Sequence, residues 1–283
     1  MNYLTDEAIS QFITAALKED LGPGDYSSLA SIPTSAQNTA QLLMKDSGII
    51  AGIELAEKIF SKVDSNLQLF LLKKDGDFVQ EGDVVLKVTG SVQSILTAER
   101  LVLNCMQRMS GIATYTNYLS SKIGKHKAQL LDTRKTTPNF RMMEKWAVLI
   151  GGGKNHRFAL YDMIMLKDNH IDFAGGIKEA IEATQSYLKT HQLDLKIEVE
   201  TRNLEEVKQV VETGGIDFIM LDNMSPALMK EAVQYIDGRY KVEASGGITE
   251  KTIEAVAASG VDFISVGALT HSYKSLDMSL KAV

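Results

Sequence analysis

Six short apolar runs recur after residue 128, and they constrain the fold more than any other feature of the sequence. Amphipathic, helix-like runs separate most of them, an alternation that is typical of repeated βα units around a parallel sheet. Six strands, with a candidate seventh at 146–150, are too many for half of a dinucleotide-binding fold and favour an α/β barrel. The six runs are AQLL (128–131), MIML (163–166), KIEVE (196–200), DFIML (217–221), KVEA (241–244) and DFISV (262–266).

The chain changes character near residue 110, and the part before it has mixed signals. An amphipathic helix is expected at about 5–20, followed by short strands and turns. A long helix is expected over 97–124, with Thr97 as its N-cap and Gly111 as a kink or interruption. The 283 residues exceed the usual domain length of roughly 100–150 residues, so two domains or one barrel with an extension are expected.

Charge and cysteine content exclude several functional classes. The net charge of −6 argues against broad binding to nucleic acid or to a membrane, because both need a positive field. No run approaches the roughly 18 apolar residues that cross a bilayer, and the acidic N-terminal segment does not resemble a signal peptide. The lone Cys105 excludes an intrachain disulfide and a cysteine-rich zinc site. A cytoplasmic protein is therefore expected.

Charged or phosphate-compatible residues follow all six runs, at the positions where barrel strands build active sites. The basic residues among them can trap a ligand with more than one negative group. Guanidinium forks match carboxylate and phosphate geometry, so Arg134 and Arg157 are the leading clamps. For any single basic residue, the alternative reading is a solvated surface charge. The set is Arg134, Lys135, His156, Arg157 and Lys167, with Arg141 and Lys154 nearby.

Two carboxylates and two glycine-rich loops complete these strand ends. Glu200 and Asp222 can hold a divalent cation or act as an acid/base pair. The alternative readings are an N-cap at Asp222 and a structural ion pair with Arg202. The loops at 245–247 and 266–268 offer backbone N–H groups to a phosphate, although tight βα turns also favour glycine.

Several segments, in order through nearly the whole chain, resemble one enzyme family. They are TAERLVLNCMQRMSGIAT (97–114), DTRKTTP (132–138), EKWAVLIGGGKNHRFALYDMIMLKDNHI (144–171), EVE (198–200), LDN (221–223), ASGGI (244–248) and VGALTHS (266–272). The family is nicotinate-nucleotide pyrophosphorylase (carboxylating), also called quinolinate phosphoribosyltransferase. The resemblance implies an N-terminal α/β sandwich domain over 1–110 and an incomplete α/β barrel of about seven strands over 111–272. The C-terminal tail, 273–283, is expected to return to the first domain.

The resemblance also implies a reaction. Quinolinate and phosphoribosyl pyrophosphate give nicotinate mononucleotide, carbon dioxide and pyrophosphate, in de novo NAD biosynthesis. Mg²⁺ is expected with phosphoribosyl pyrophosphate, and no organic cofactor is expected. A homodimer or a hexamer (a trimer of dimers) is expected, and a second subunit completes each site. Arg100 is therefore expected to serve the barrel of its neighbour.

Positions that match the family motifs carry the expected roles. The catalytic residues are Lys135, Lys167, Glu200 and Asp222. Glu200 and Asp222 are expected to stabilise positive charge at the ribose C1 or to hold Mg²⁺. The substrate-binding residues are Arg100, Thr133, Arg134, Lys135, His156, Arg157, Lys167, Glu200, Asp222, Ser245, Gly246, Gly247, Val266, Gly267 and Ala268.

Three alternatives stay open at this point. A related family, associated with molybdenum transport operons, shares these motifs and acts on a different substrate. Nicotinate phosphoribosyltransferase shares the architecture, but its monocarboxylate substrate does not call for so many cations. A catalytically silent anion-binding protein on the same fold is the third alternative, although no motif position is degraded. The mass of the product discriminates the first two, and turnover itself discriminates the third.

Overall fold

A computed structural model describes residues 3–283. The elements of the first part of the chain are α1 (Asp6–Leu21), α2 (Tyr26–Ser31), β1 (Gln37–Met44), β2 (Gly48–Ile49), α3 (Ile53–Val63), β3 (Gln68–Leu71), β4 (Phe78–Val79), β5 (Val84–Ser91) and α4 (Val92–Ile123). The remaining elements are β6 (Gln129–Leu131), α5 (Arg141–Ile150), β7 (Ile164–Leu166), α6 (Asp168–Ala174), α7 (Ile177–His191), β8 (Ile197–Thr201), α8 (Leu204–Thr213), β9 (Phe218–Asp222), α9 (Pro226–Ile236), β10 (Lys241–Ser245), α10 (Ile253–Ala258), β11 (Phe263–Ser265), α11 (Ala268–His271) and β12 (Met278–Ala282).

The chain folds into two compact units. The first runs to Asn117 and also contains Thr136–Gly152 and Leu269–Val283. The second contains Tyr118–Lys135 and Gly153–Ala268. The domain limits expected from the sequence stay a prediction. None of the described helices is both long enough and apolar enough to cross a membrane.

An antiparallel sheet in the order β12-β1-β5-β3 forms the framework of the first unit. The last strand of the chain, β12, pairs antiparallel with β1. Alternate residues of β1 are buried, with Ala40, Leu42 and Met44 on the covered face. This period of two is typical of a sheet that packs one face on a core and turns the other outward.

The long helix α4 corrects two predictions made for 97–124. It begins at Val92, so Thr97 lies within the helix and is not its N-cap. It also continues through Gly111 without a break. A Cβ atom at Gly111 would collide with the backbone carbonyl of Lys274. Glycine is therefore required here for the close approach of two chain segments rather than for a kink.

Sulfur-containing side chains pack in the core of the first unit. Met106 and Met109 of α4 and Met143 of α5 are fully buried, and Cys105 of α4 is buried too. Burial raises the pKa of the Cys105 thiol to about 12. The thiol is therefore protonated at physiological pH and acts as a core group rather than as a nucleophile.

All six predicted strands are present in the second unit and form one parallel sheet in the order β6-β11-β10-β9-β8-β7. Each observed strand agrees with its predicted run to within one residue at either end. Strands β6 and β7 are the edges, and no described residues pair one with the other, so the barrel is not closed. The predicted fold class, an incomplete α/β barrel with an N-terminal α/β domain, is confirmed.

The candidate seventh strand at 146–150 is wrong, because these residues form the second half of helix α5. A short apolar run of this kind suits a buried helix as well as a buried strand. The sheet is extended at a different point. Lys154 forms an isolated parallel bridge with Leu131 of β6, and its N–H donates to the Leu130 carbonyl at 2.8 Å.

Candidate functional site

The carboxyl ends of the six parallel strands lie at one edge of the second unit's sheet, as the parallel register requires. His156 and Arg157 follow the Lys154 bridge and so lie at the same edge. Arg100 is on α4 in the first unit, where it is exposed. The structure therefore brings together all the other predicted residues: Thr133, Arg134, Lys135, His156, Arg157, Lys167, Glu200, Asp222, Ser245, Gly246, Gly247, Val266, Gly267 and Ala268.

Lys167 and Glu200 form an ion pair at this edge. The register of β7 against β8 sets the two residues side by side, and Lys167 Nζ donates to Glu200 Oε2 at 2.9 Å. Glu200 is only 8% exposed, so the ammonium group compensates a carboxylate that water barely reaches. The alternative pairing with Arg202 is not found, because Arg202 bonds to Glu206 and Asp172.

A tight junction joins the ends of β9 and β10. Asn223 donates its Nδ2 to Asp222 Oδ2 at 2.7 Å and its backbone N–H to the Ser245 carbonyl at 2.9 Å. Ser225, and not Asp222, caps helix α9. Gly246 has a φ of +90°, and a Cβ atom there would collide with the Asn223 side chain. Glycine is therefore the residue that allows this loop to pass close to the end of β9.

The basic residues include two guanidinium groups that influence each other. Arg134 and Lys135 are exposed beyond β6, where Thr133 Oγ1 accepts a hydrogen bond from the Lys135 N–H at 3.0 Å. Arg157 is half-buried and donates to the Met163 carbonyl at 3.2 Å. Burial lowers the pKa of Arg157, and the nearby charge of Arg134 lowers it further. Two guanidinium groups held in this way repel each other, and an anion between them relieves the repulsion.

Two buried carboxylates beside His156 were not predicted from the sequence. His156 Nε2 lies 2.9 Å from Glu198 Oε2 and 3.2 Å from Glu243 Oε2. The side chains are 7%, 0% and 1% exposed, respectively. Burial alone lowers the pKa of His156, but the hydrogen bonds and charges of the two glutamates outweigh it and raise the pKa to about 10. A signal was available, since EVE and KVEA place an acid within an apolar run, and buried acids need partners.

A third buried acid, Asp132, holds the segment that precedes Arg157. Its Oδ1 accepts the backbone N–H of His156 at 2.9 Å, and its Oδ2 accepts the side chain of Asn155 at 2.5 Å. Asp132 directly follows β6 and is fully buried. The position of the Asn155–Arg157 segment is therefore fixed to the end of β6.

The family model for the quinolinate phosphoribosyl transferase N-terminal domain matches residues 25–110, and the model for the C-terminal domain matches residues 112–281. The chain belongs to the quinolinate phosphoribosyltransferase family. Together the two matches cover every segment on which the resemblance was based except Gly111, so the family predicted from the sequence is confirmed.

Members of the quinolinate phosphoribosyltransferase family match over nearly the whole chain. The chloroplastic nicotinate-nucleotide pyrophosphorylase (carboxylating) of Arabidopsis thaliana is 48% identical over 284 residues, which cover 95% of this chain and 81% of the relative. The probable nicotinate-nucleotide pyrophosphorylase (carboxylating) of Bacillus subtilis is 41% identical over 280 residues, 99% of this chain and 94% of the relative. The crystal structure of NadC from Streptococcus pyogenes has 40% identity and a TM-score of 0.93, with 99% of both chains covered.

Proposed function

We propose that this protein transfers the phosphoribosyl group of phosphoribosyl pyrophosphate to quinolinate. The products are nicotinate mononucleotide, carbon dioxide and pyrophosphate, and the mononucleotide enters NAD biosynthesis. The observation that carries this proposal is the family match over both domains. The gathering of basic and acidic groups at one edge of the parallel sheet supports it, because the two substrates need both kinds of group.

The basic residues are proposed to bind quinolinate, an aromatic acid with two carboxylates. Arg134 and Arg157 offer planar donor forks that match a carboxylate, and each carboxylate relieves the repulsion between them. Lys135 and Lys167 add two further positive charges. His156 stays a prediction as a direct substrate ligand, because both of its ring nitrogens contact groups of the protein.

The other half of the edge is proposed to bind the phosphoribosyl group. Glu200 and Asp222 would repel an aromatic dicarboxylate, so they are placed better beside the ribose hydroxyls and C1. The loops after β10 and β11 present backbone N–H groups to phosphate, with Gly246 and Gly247 at φ values of +90° and +61°. The contributing residues are Ser245, Gly246, Gly247, Val266, Gly267 and Ala268.

The proposed reaction follows from placing quinolinate on the basic residues of the edge and the phosphoribosyl group on the other half. The lone pair of the quinolinate nitrogen forms a bond to the ribose C1, while the bond from C1 to pyrophosphate breaks and its electrons leave with pyrophosphate. Positive charge collects at C1 as this happens, and Glu200 and Asp222 stabilise it. Lys167, held by Glu200 at 2.9 Å, and Lys135 keep the acid in place. The 2-carboxylate then leaves as carbon dioxide, and its bonding electrons remain on the ring carbon, which takes up a proton.

Mg²⁺ is proposed to arrive with phosphoribosyl pyrophosphate, and Glu200 and Asp222 would hold it. The donors fit, because Mg²⁺ prefers oxygen ligands and is commonly bound by one or two carboxylates together with substrate phosphates. When bound, the ion neutralises negative charge on the departing pyrophosphate. No organic cofactor is part of this proposal.

The test of the proposed function is product identity. Purified protein is incubated with phosphoribosyl pyrophosphate, Mg²⁺ and either quinolinate or nicotinate, and the products are analysed by mass spectrometry. The expected result is nicotinate mononucleotide from quinolinate and little or none from nicotinate. Preference for nicotinate, or turnover of neither acid, would contradict the proposal.

A homodimer or a hexamer built from dimers is proposed, with Arg100 acting at the site of a neighbouring subunit. Its exposed position on α4, within the first unit, supports this role. Subunits with Arg100→Ala and subunits with Lys167→Ala are each expected to be inactive. Mixing them after reversible dissociation should restore up to about one competent site per mixed dimer. Absence of recovery, despite demonstrated subunit exchange, would contradict a shared site.

A cytoplasmic location is also proposed. The support is chemical, because the sequence has a single cysteine, Cys105, which is buried as a free thiol. Proteins of reducing compartments rarely depend on disulfides. Fractionation of cells that produce the protein, followed by immunoblotting, tests this location, and recovery with membranes or organelles would contradict it.

A further inference from the structure

The buried cluster of His156, Glu198 and Glu243 lies in the sheet of the second unit, beneath the edge that carries the proposed site. Glu198 is on β8, two residues before Glu200, and the two side chains lie on the same face of the strand. The reaction proposed above uses none of the three side chains directly. Ser265 Oγ donates to Glu243 Oε1 at 2.5 Å, which fixes the second carboxylate.

The cluster has the residue types of a metal site, but its hydrogen bonds already use the atoms that would bind an ion. His156 is held on both sides of its ring, because Nε2 lies between the two carboxylates and Nδ1 lies 2.6 Å from the backbone nitrogen of Arg157. The two carboxylates raise the pKa of His156 to about 10, so the ring is an imidazolium at neutral pH and carries a proton on each nitrogen. In this form Nε2 donates to the two carboxylates and has no lone pair for a metal.

His156 therefore links the two buried glutamates to the backbone of Arg157. One ring nitrogen is anchored by Glu198 and Glu243, and the other lies 2.6 Å from the backbone nitrogen of Arg157, the next residue in the chain. The Asp132 carboxylate fixes the backbone of His156 from another side. These contacts restrict the main chain of Arg157. They therefore fix the direction in which the Arg157 side chain extends from the backbone.

The negative charge of Glu198 also supports Arg157, because it favours the positively charged form of the guanidinium group. Burial and the charge of Arg134 both disfavour the positive form of Arg157, whereas the negative charge of Glu198 favours it and raises the pKa of Arg157. Burial, together with the charge of Glu243, raises the pKa of Glu198, so this carboxylate depends on its donor His156.

We propose that Glu198 and Glu243 are positioning residues, which act through His156 to hold Arg157 in the orientation that binds an acidic aromatic substrate. This inference rests on the proposed function, because it assigns Arg157 to the quinolinate half of the site. The consequence is a selective defect. Disturbing the cluster weakens quinolinate binding and leaves the phosphoribosyl half largely intact.

The test uses Glu198→Gln and Glu243→Gln, which keep the size of the side chain but remove its charge. Each variant should raise the KM for quinolinate by about tenfold, the effect of losing one charge-assisted hydrogen bond, and change the KM for phosphoribosyl pyrophosphate by less than about twofold. Glu206→Gln is the matched control, because it also breaks an ion pair of the second unit, with Arg202. It should change neither constant. Equal effects on both substrates would overturn the proposal.

A double-mutant cycle tests the route through His156. Against a His156→Ala background, Glu198→Gln should raise the quinolinate KM by less than about twofold, since the link is already broken. Full additivity of the two changes would contradict the proposal. Calorimetric titration of the free enzyme with quinolinate gives a second readout, and its dissociation constants should follow the KM values.

Ser265→Ala keeps the proposal testable if a glutamate variant does not fold. It removes only the hydroxyl that bonds to Glu243 and should raise the quinolinate KM by a few-fold, with a fall in melting temperature of no more than about 4–8 °C. An unchanged KM in this variant would count against the proposal. These experiments distinguish failure of the proposed function from failure of the positioning role. A wild-type protein that does not turn over quinolinate refutes the proposed function, whereas an active wild type with unaffected variants refutes only the positioning role.

Discussion

The antiparallel sheet of the first unit and the parallel sheet of the second use buried positions in opposite ways. In β1, burial alternates, and the buried positions are Ala40, Leu42 and Met44. None of the four strands of that sheet has a buried charged side chain. In β8 every residue is buried, and two of the five are glutamates.

This difference distinguishes the sheet whose buried residues serve stability from the sheet whose buried residues serve the proposed chemistry. A strand with one solvated face can place its charges in water at little cost, whereas a strand covered on both faces cannot. Charges in the parallel sheet therefore persist only with dedicated partners, Lys167 for Glu200 and His156 for Glu198. Such costly arrangements are common at functional sites.

The largest expected effect tests the catalytic side of this comparison. Glu200→Gln and Asp222→Asn should each lower kcat by about a hundredfold or more, because a preorganised charge at the reacting centre contributes about 3–4 kcal/mol. Quinolinate binding to the free enzyme should stay within a few-fold. Lys87→Gln, a half-buried charge on β5, is the control and should leave kcat within twofold. Loss of quinolinate binding with near-normal kcat at saturation would contradict this role and assign that carboxylate to quinolinate binding.

The next effect concerns stability alone. Leu42 is completely buried in the core, so Leu42→Ala should lower the free energy of unfolding by about 3 kcal/mol. A drop in melting temperature of about 6–12 °C is expected by calorimetry. The kcat of the folded fraction should match the wild type. A specific loss of kcat at temperatures well below the transition would break the division between the two sheets.

The third prediction tests the acid-binding residues at the edge of the parallel sheet. Arg134→Lys keeps the charge but loses the two-pronged fork, which should cost about 1.5–3 kcal/mol of binding free energy. Calorimetric titration should show at least a tenfold weaker quinolinate complex, with folding intact. Arg239→Lys is the control, because Arg239 is a surface arginine that donates to backbone carbonyls. This variant should bind quinolinate with the affinity of the wild type. An unchanged dissociation constant for Arg134→Lys would remove this residue from the site.

The smallest effect is expected at the start of the first unit. Thr5 caps helix α1, and its hydroxyl accepts the Ala8 N–H at 3.1 Å. Thr5→Ala should cost about 1 kcal/mol and lower the melting temperature by about 2–4 °C, whereas Thr5→Ser should keep the cap. Neither variant should change kcat, and a change in kcat would show that the first unit influences the chemistry through its fold.

The sequence predicted the parallel sheet more accurately than the long helix, and the reason is physical. Buried strands between amphipathic helices leave a clear periodic pattern, which located all six strands to within one residue. The apolar run at 146–150 has no such period and is compatible with a helix or a strand. The start of α4 at Val92 follows strand β5 with no intervening residue, so no turn signal marked it.

The candidate site was predicted at its edge but not in its interior. Residues such as Lys167 and Asp222 stand out because they directly follow or end apolar runs. Glu198 and Glu243 lie within such runs, and the sequence does not say which charged side chain a buried acid will meet. The three-way contact with His156 joins residues 42 and 87 positions apart in the chain, which depends on the folded sheet.

The release of carbon dioxide tests the central claim most directly. Quinolinate labelled with carbon-14 in its 2-carboxylate is incubated with the protein and Mg²⁺, with and without phosphoribosyl pyrophosphate. The account predicts one labelled carbon dioxide for each nicotinate mononucleotide and each pyrophosphate formed, and no release without phosphoribosyl pyrophosphate. Release that does not need the phosphoribosyl donor, or a mononucleotide that retains the label, would contradict it.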